Sequence, residues 1–393
     1  MDISNIAKNI SPSLTLAISA EAKRLASSGV SMINFGVGEP DFATPEYIIE
    51  ATKHALDKGM TKYTPAAGIP KLREAVANYH SEETGFEIKA ENVVITDGGK
   101  SALFHAMAAI LNAGDEVILP SPYWLTYPEQ IRILGGVVVE VFCEDGKITP
   151  EQLANACTAK TKLFIMNSPS NPTGAVYSQE ELEKLARVCE EKGIYIISDE
   201  IYAMLVYDGA KHYSISAVNE YTKTHTIIVS GVSKSYAMTG YRIGWVVAPK
   251  EIAAAVNSLQ SHITSAPASF AQDAAAAAII GGRVAARMMH DMFAQRRTTL
   301  LKLLEKLQGI SYVEPQGAFY VFMNVSAFYG KCVDGVKIDG SVAFCKKALD
   351  EGIALVPGVA FGDDRCVRIS YAVNEDDIAL GIQRFDSYLK KFQ

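Results

Sequence analysis

A lysine between small residues lies in a segment that could hold a phosphate and a reactive carbonyl compound. Lys234 follows the β-branched run Thr226–Val229, and the segment Gly231–Gly244 around it is rich in small residues. Such residues let a bulky ligand approach the backbone closely. Ser233 offers a hydroxyl and Arg242 a guanidinium, and both groups suit a phosphate. A partly desolvated lysine beside an anchored phosphate can form a Schiff base with a carbonyl group.

Three further turns follow predicted strands. The segment Asp97–Ala102 contains Gly98 and Gly99 before a predicted helix, and the backbone N–H groups at a helix start favour an anion. The segment Asn167–Gly174 holds two prolines that stiffen its turn, and Asp199 follows another apolar strand. Because open α/β sheets bind ligands at the carboxyl ends of their strands, these turns are candidates for one site.

Each of these residues also has a purely structural explanation. A lysine after a strand is commonly a solvated surface residue, and an aspartate such as Asp199 is commonly a helix N-cap. Gly-Gly and Asn-Pro pairs also occur in turns that bind nothing. The residue types alone therefore support only a phosphate ligand.

The elements that position these residues alternate between short β-branched runs and helical stretches. This alternation indicates an α/β protein with right-handed crossovers and a mostly parallel sheet. The predicted strands are apolar, as strands covered by helices on both faces are. They are Val93–Thr96, Glu116–Pro120, Val137–Phe142, Leu163–Asn167, Tyr195–Ser198, Thr226–Val229 and Gly244–Ala248.

The pattern changes after about Asp291, where a long charged helix leads to several short strands, including Cys366–Tyr371. This arrangement is typical of a smaller α+β domain. We therefore predict a large domain of residues 45–290. The small domain would comprise residues 1–44 and 291–393, with a mobile N-terminal segment.

The composition excludes several classes of protein. With 37 Lys and Arg against 44 Asp and Glu, the net charge is −7, which provides no general basic surface for nucleic acid. The apolar runs are far shorter than the ~20 residues that cross a bilayer. Met1–Ile10 lacks the apolar core of a signal peptide. The six cysteines have no metal-binding spacing and are expected to be reduced thiols. We therefore predict a cytoplasmic protein without a metal site.

Several segments, in order along the chain, resemble the class I pyridoxal-phosphate (PLP)-dependent aminotransferases of fold type I. Within that family the chain is similar to the bacterial aspartate aminotransferases. The resemblance implies a mostly parallel seven-stranded sheet in the large domain, PLP as cofactor, and ping-pong transfer of the amino group of L-aspartate to 2-oxoglutarate. The matching segments are Gly36–Asp41, Lys62–Gly68, Asp97–Ala102, Asn167–Gly174, Ile197–Tyr202, Gly231–Gly244 and Cys366–Tyr371.

The resemblance assigns cofactor roles to residues that match the family's motifs. Lys234 is similar to the catalytic lysine that binds PLP, and Asp199 to the aspartate that pairs with the pyridine nitrogen. Tyr202 is similar to the tyrosine at the ring oxygen, and would face the same side as Asp199 if a helix followed. Tyr63 resembles a tyrosine that reaches the phosphate of the neighbouring subunit, which implies a homodimer with a shared active site. Further cofactor contacts are implied for Gly99, Lys100, Trp124, Asn171, Ser233 and Arg242.

Other matching residues are implied to bind the substrate. Arg368 resembles the arginine that holds the α-carboxylate of an amino acid, for which a bidentate guanidinium is well suited. Its distance in sequence from Lys234 means that only the fold can bring the two together. Residues similar to the family's other contacts with the substrate are Gly38, Trp124 and Asn171.

The distal carboxylate of aspartate is bound differently in two subgroups of the family. One subgroup uses an arginine from the partner subunit, but no arginine occurs between Arg242 and Arg283 here. The chain resembles the other subgroup, in which a lysine of the phosphate loop and two hydroxyls near the N-terminus bind that carboxylate. Lys100, Ser13 and Thr15 occupy those positions.

Three alternatives stay open on the same residues. An aminotransferase of this family could act on aromatic amino acids or on prephenate. A PLP-dependent C–S β-lyase would use the same lysine, aspartate and arginine. A non-catalytic ligand-binding module of a regulator is disfavoured, since the sequence contains no recognisable DNA-binding segment and no basic patch.

Overall fold

The computed structural model describes residues 2–392 of the chain. The strands are short, with two to seven residues each. In chain order they are β1 (Ile33–Asn34), β2 (Val93–Thr96), β3 (Glu116–Ser121), β4 (Val137–Phe142), β5 (Thr161–Asn167), β6 (Tyr195–Asp199), β7 (Thr226–Gly231), β8 (Gly244–Val247), β9 (Ser311–Tyr312), β10 (Tyr320–Asn324), β11 (Cys332–Val333), β12 (Val336–Lys337), β13 (Ile353–Ala354), β14 (Val356–Pro357) and β15 (Cys366–Ser370).

The helices are α1 (Asn5–Asn9), α2 (Leu14–Ser27), α3 (Glu46–Asp57), α4 (Pro70–Thr84), α5 (Gly99–Ala108), α6 (Thr126–Ile133), α7 (Pro150–Ala156), α8 (Gln179–Lys192), α9 (Glu220–His225), α10 (Lys250–Ile263), α11 (Ser269–Ile280), α12 (Val284–Leu304), α13 (Ser341–Asp350) and α14 (Glu375–Leu389). Local signals set many of their ends. Before α8, for instance, Ser178 and Glu181 form a capping box, and Gly193 ends the helix in the left-handed region. Within residues 2–392, no helix is long and apolar enough to cross a membrane.

A seven-stranded sheet forms the centre of the larger part of the fold, with the strand order β2-β8-β7-β6-β5-β3-β4. The pairs β3–β4, β3–β5, β5–β6 and β6–β7 are parallel, whereas β8 is antiparallel to both of its neighbours. Six strands therefore run in one direction and β8 runs in the other. The predicted mostly parallel seven-stranded sheet is confirmed.

Helices cover both faces of this sheet. On one face, Leu103 of α5 belongs to the same buried cluster as Val229 of β7. On the other face, Leu185 of α8 packs in a cluster with Ile196 of β6. Because helices bury both faces of the sheet, its strands are held rigidly, and the turns at their ends have fixed positions.

A smaller antiparallel sheet, with the strand order β14-β15-β10-β9, lies in the C-terminal part of the chain. The N-terminal strand β1 pairs in parallel with β13, so that Ile33 lies opposite Ile353. The long helix α12 spans the predicted boundary at residues 290 and 291. The division into domains of residues 45–290 and of 1–44 with 291–393 stays a prediction.

The chain does not enter a helix after Asp199. Residues 201–204 form a turn, in which the N–H of Ala203 donates to the Glu200 carbonyl at 2.9 Å. The N–H of Ile201 donates to the Asp199 carboxylate at 3.2 Å, which ties the turn back to the strand. Tyr202 and Asp199 nevertheless line the same cavity, because this short turn keeps both at the end of β6.

Candidate active site

A cavity of about 390 Å³ lies at the carboxyl ends of the parallel strands. Asn167 ends β5, Asp199 ends β6, and Lys234 follows β7 after a short turn. This edge is where open α/β sheets bind ligands. The predicted site residues that line the cavity are Ser13, Thr15, Gly38, Gly99, Lys100, Trp124, Asn171, Asp199, Tyr202, Ser233, Lys234, Arg242 and Arg368.

Tyr63 is placed differently from the other predicted site residues. Its side chain is 95% exposed, and it does not line the cavity of its own chain. Its predicted contact is with a neighbouring subunit, and that contact stays a prediction.

The Lys234 side chain is partly buried in the cavity wall, and its Nζ donates a hydrogen bond to the Gly38 carbonyl. Burial is the largest cause that lowers the pKa of Lys234, to about 8, and the Arg368 and Arg242 guanidinium groups contribute in the same direction. An amine with this pKa is neutral in an appreciable fraction of molecules near neutral pH. It can therefore act as a nucleophile or as a base.

Glycines allow the start of β8 and the Arg242 side chain to approach the start of α5 closely. A Cβ atom on Gly244 would lie 2.5 Å from the Gly98 carbonyl carbon and 2.5 Å from the Gly99 nitrogen. Gly98 has a positive φ of 80°, and a Cβ there would lie 2.5 Å from the Arg242 guanidinium. Larger residues at these positions would push α5 and Arg242 away from the cavity.

The start of α5, Ser233 and Arg242 place several hydrogen-bond donors on one side of the cavity. The first turn of α5 leaves the N–H groups of Gly99 and Lys100 without intrahelical acceptors, and its dipole favours an anion. The Arg242 guanidinium donates to two backbone carbonyls, at 3.0 and 3.4 Å. In residues 2–392 it has no Asp or Glu partner, so its charge is available to an anionic ligand.

Asp199 provides a buried carboxylate on another side of the cavity. Its side chain accepts a hydrogen bond from the Tyr127 hydroxyl at 2.8 Å and one from the Ile201 N–H at 3.2 Å. Burial raises the pKa of Asp199 to about 6, against the lowering effect of the Tyr127 hydrogen bond. A buried carboxylate of this kind is stabilised by a ligand that brings an N–H⁺ group to it.

Arg368 is a buried cation without an anionic partner among residues 2–392. The residue is 2% exposed, and its Nη1 and Nη2 atoms donate to Asn171 Oδ1 at 3.0 Å and to the Gly36 carbonyl at 3.2 Å. Its Nε has no hydrogen-bond partner within the described residues, and its guanidinium lies 4.3 Å from the centre of the Tyr320 ring. Burial lowers the pKa of Arg368. An unpaired buried guanidinium is stabilised when a carboxylate binds to it.

Two tyrosine hydroxyls meet at the wall of the cavity. The Tyr202 and Tyr320 hydroxyl oxygens are 3.0 Å apart, and both side chains are buried. One hydroxyl donates and the other keeps its proton for a further acceptor. A ligand oxygen in the cavity could take that remaining hydrogen bond.

The N-terminal hydroxyls and Lys100 line a further part of the cavity. Ser13 is the N-cap of α2, where its Oγ accepts a hydrogen bond from the N–H of Leu16 at 3.4 Å. Thr15 Oγ1 is buried and has no hydrogen-bond partner in the described part of the chain. The Lys100 Nζ lies 5.2 Å from the centre of the Trp124 ring. Burial, with the Arg242 charge as a second cause, lowers the pKa of Lys100.

The sequence interpretation missed Tyr127 and Tyr320. Tyr127 follows Trp124 by three residues, which is nearly one helical turn, so this spacing was a usable signal that both face the cavity. Tyr320 lies in the apolar strand β10, where its residue type gives no sign of a contact with Arg368. Among residues 2–392, no group of three or more His, Cys, Asp or Glu side chains could hold a metal ion.

Comparisons with known proteins agree with this geometry. The family described as aminotransferase class I and II matches residues 30–385. An aspartate aminotransferase from Streptomyces avermitilis is 43% identical over 387 residues, which are 97% of this chain and 95% of the relative. An aspartate/prephenate aminotransferase from Thermus thermophilus is 43% identical over 380 residues, which are 95% of each chain.

The fold of this chain is also similar to that of a solved structure. The aspartate aminotransferase from Thermus thermophilus with maleate has a TM-score of 0.92 and 42% identity to this chain, and the match covers 99% of this chain and 100% of that one. The family match and the identity both extend over most of the chain. On this basis the chain belongs to the class I and II aminotransferases.

Proposed function

We propose that this chain is a PLP-dependent aminotransferase that moves the amino group of L-aspartate to 2-oxoglutarate by a ping-pong mechanism. The observation that carries the proposal is the buried Arg368 guanidinium, which has no carboxylate partner within residues 2–392 and lines the same cavity as the Lys234 amine. An α-carboxylate on Arg368 would orient a substrate amino acid in this cavity. Both curated relatives described above are named as acting on aspartate.

The residues of the cavity fit PLP. Donors at the start of α5, together with Ser233 and Arg242, suit its phosphate, and the buried carboxylate of Asp199 suits a protonated pyridine nitrogen. When bound, PLP supplies an electron sink and accepts the amino group. Residues proposed to hold it are Gly99, Lys100, Trp124, Asn171, Asp199, Tyr202, Ser233, Lys234 and Arg242.

Lys234 has two proposed tasks. Its amine, with a pKa of about 8, would bind the cofactor covalently. Once the substrate amino group had replaced it, the freed Nζ would move the proton from the substrate α-carbon to the cofactor, and in the opposite direction when the 2-oxo acid takes the amino group. Asp199 and Tyr202, which line the same cavity, would hold the ring of the cofactor throughout.

The two carboxylates of the substrate have separate proposed binding groups. Arg368 and Asn171, already joined by a hydrogen bond of 3.0 Å, would hold the α-carboxylate beside Gly38 and Trp124. Lys100 would hold the distal carboxylate, with Ser13 and Thr15. The buried Thr15 hydroxyl has no partner within the described residues, which supports this assignment.

We propose a homodimer with a shared active site, in which Tyr63 reaches the phosphate site of the other subunit. The almost fully exposed tyrosine ring supports this role, since a large aromatic side chain rarely stays in water without a partner. We also propose a cytoplasmic location. All six cysteines are free in the described part of the chain, which is typical of proteins in a reducing compartment.

One half-reaction tests the proposed function. The protein is loaded with PLP and mixed with L-aspartate without an oxo acid, and absorption, oxaloacetate and ammonia are measured. We expect loss of the absorption of the bound PLP, one oxaloacetate per site, and no ammonia. Pyruvate and ammonia from cystathionine would instead support the C–S β-lyase. Reaction only with aromatic amino acids, or with prephenate as acceptor, would support the other aminotransferase specificities.

Replacing Lys100 tests the dicarboxylate assignment. We expect Lys100→Ala to lower kcat/KM for L-aspartate by about tenfold more than for L-phenylalanine, because only aspartate loses a charge-assisted hydrogen bond. Lys162→Ala is the control, since Lys162 lies near Tyr195 at the other end of β6. An equal loss for both substrates would contradict the role of Lys100 in binding the distal carboxylate.

A further inference from the structure

A second buried carboxylate directly follows Asp199. Glu200 is 3% exposed, and its side chain does not line the large cavity. It borders a separate cavity of about 10 Å³ beside Trp245 and Tyr79. Consecutive residues of an extended chain point to opposite sides, so Asp199 faces the active site and Glu200 faces the protein interior behind it.

Three side chains hold the Glu200 carboxylate. Ser198 Oγ and Ser214 Oγ donate to its Oε1 at 2.9 and 2.6 Å, and His212 Nε2 lies 3.3 Å from its Oε2. The Glu200 backbone N–H also donates to the Val229 carbonyl of β7 at 2.8 Å. The residue is therefore fixed through both its backbone and its side chain.

The surroundings of Glu200 favour its ionised form. Burial acts to raise the pKa of Glu200, but His212 and the serine hydrogen bond outweigh burial, and the pKa lies below its usual range. Burial lowers the pKa of the nearby His80 to about 4, and this ring accepts a hydrogen bond from Trp245 Nε1 at 2.9 Å. His80 is therefore neutral at pH 7. The titratable groups near Glu200 are His212, His80, Tyr79 and Asp199.

We propose that Glu200 is a positioning residue for Asp199. Its ionised side chain, held by His212 and two serines, anchors the end of β6 on the interior side and thereby fixes the Asp199 carboxylate in the cavity. The negative charge of Glu200, one residue away, also strengthens the hold of Asp199 on a positively charged N–H group. This inference rests on the proposed function, because it concerns how tightly Asp199 holds the cofactor.

The test compares Glu200→Gln with the wild type. This variant keeps the shape of the side chain and removes its charge. We measure the Kd of PLP by titrating the apoenzyme, as well as kcat, KM for L-aspartate and the thermal unfolding midpoint. We expect PLP binding and kcat each to fall by about tenfold, the size of one lost charge-assisted hydrogen bond, while KM stays unchanged. KM depends instead on Arg368 and Lys100, which do not contact Glu200.

Two variants of His212 extend the test in case Glu200→Gln does not fold. We expect His212→Ala to weaken PLP binding as Glu200→Gln does, because it leaves Glu200 Oε2 without its partner. His212→Gln keeps an N–H donor and is expected to restore most of the affinity. Asp363→Asn is the matched control, since Asp363 is also a buried acid but pairs with Arg365. We expect this control to bind PLP like the wild type.

The outcomes separate the inference from the proposed function. A folded Glu200→Gln or His212→Ala variant with the wild-type Kd and kcat, changed only in its unfolding midpoint, would overturn the positioning role and leave the proposed function intact. A wild-type protein that does not bind PLP would overturn both. Weaker PLP binding in both variants, with recovery in His212→Gln, would support the inference.

Discussion

Replacing Lys234 by alanine is expected to lower kcat for transamination by about 10⁴-fold, because the variant loses both the covalent hold on the cofactor and the base at the substrate α-carbon. The partly buried amine, with its pKa lowered to about 8, is the group in the cavity best suited to both tasks. The measurement is steady-state kcat with L-aspartate and 2-oxoglutarate, together with the mass of the chain after borohydride reduction in the presence of PLP.

Lysine replacement elsewhere provides the control for this result. Lys250 forms an exposed ion pair with Glu91 at the start of α10, and we expect Lys250→Ala to keep wild-type activity and to gain the mass of one PLP on reduction. The Lys234→Ala chain should gain none. If Lys234→Ala were labelled by PLP in the same yield as the wild type, or kept an activity within tenfold of wild type, another residue would bind PLP covalently or act as the base.

Arg368→Lys is expected to lower kcat/KM for L-aspartate by about 10²- to 10³-fold, the range expected when one partner of a buried charge pair is weakened. Lysine keeps the positive charge but cannot form two parallel hydrogen bonds to a carboxylate. It also loses the contact of the guanidinium with the Tyr320 ring and the hydrogen bond from the guanidinium to Asn171. Steady-state kinetics with aspartate, and the Kd of PLP as a second readout, measure the effect.

The neighbouring Arg365 offers a matched substitution. Its guanidinium pairs with Asp363 at 2.9 Å and lies partly in solvent, so Arg365→Lys is expected to change neither kcat/KM nor PLP binding. Arg368→Lys should also bind PLP normally, because Arg368 is assigned to the substrate. If PLP binding falls in Arg368→Lys as much as kcat/KM does, the assignment of Arg368 to the α-carboxylate is wrong.

Local sequence determined the strands of the main sheet with good accuracy. The run Thr226–Val229 predicted a strand, and the structure extends it only to Gly231 as β7. Strands and helices of this kind are visible in sequence because apolar spacing and capping residues act over only a few positions. The proximity of Asp199, Lys234 and Asn171 then follows from the parallel arrangement of the strands, because parallel strands have their carboxyl ends at one edge of the sheet.

Topology alone could not place the groups from the C-terminal part of the chain. Arg368 lies on β15 of the smaller antiparallel sheet, yet it donates to Asn171, 197 positions away in sequence. The resemblance to a known family supplied its expected role, and the fold supplies its contacts and its burial. No local pattern encodes such a pairing, because it depends on how two sheets pack together.

The sequence by itself determined the succession of strands and helices along the chain. It also determined which residue types are available to bind a phosphate, and the lysine that lies among them. The tertiary structure decided which groups are buried and unpaired. It brought the Tyr127 hydroxyl to Asp199, formed a turn and not a helix after Asp199, and placed Glu200 with His212 behind the site. The physical reason is that the burial and the pKa of a side chain depend on contacts between segments distant in sequence. The spacing of residues in the sequence indicates only which side chains close together in the chain share a face.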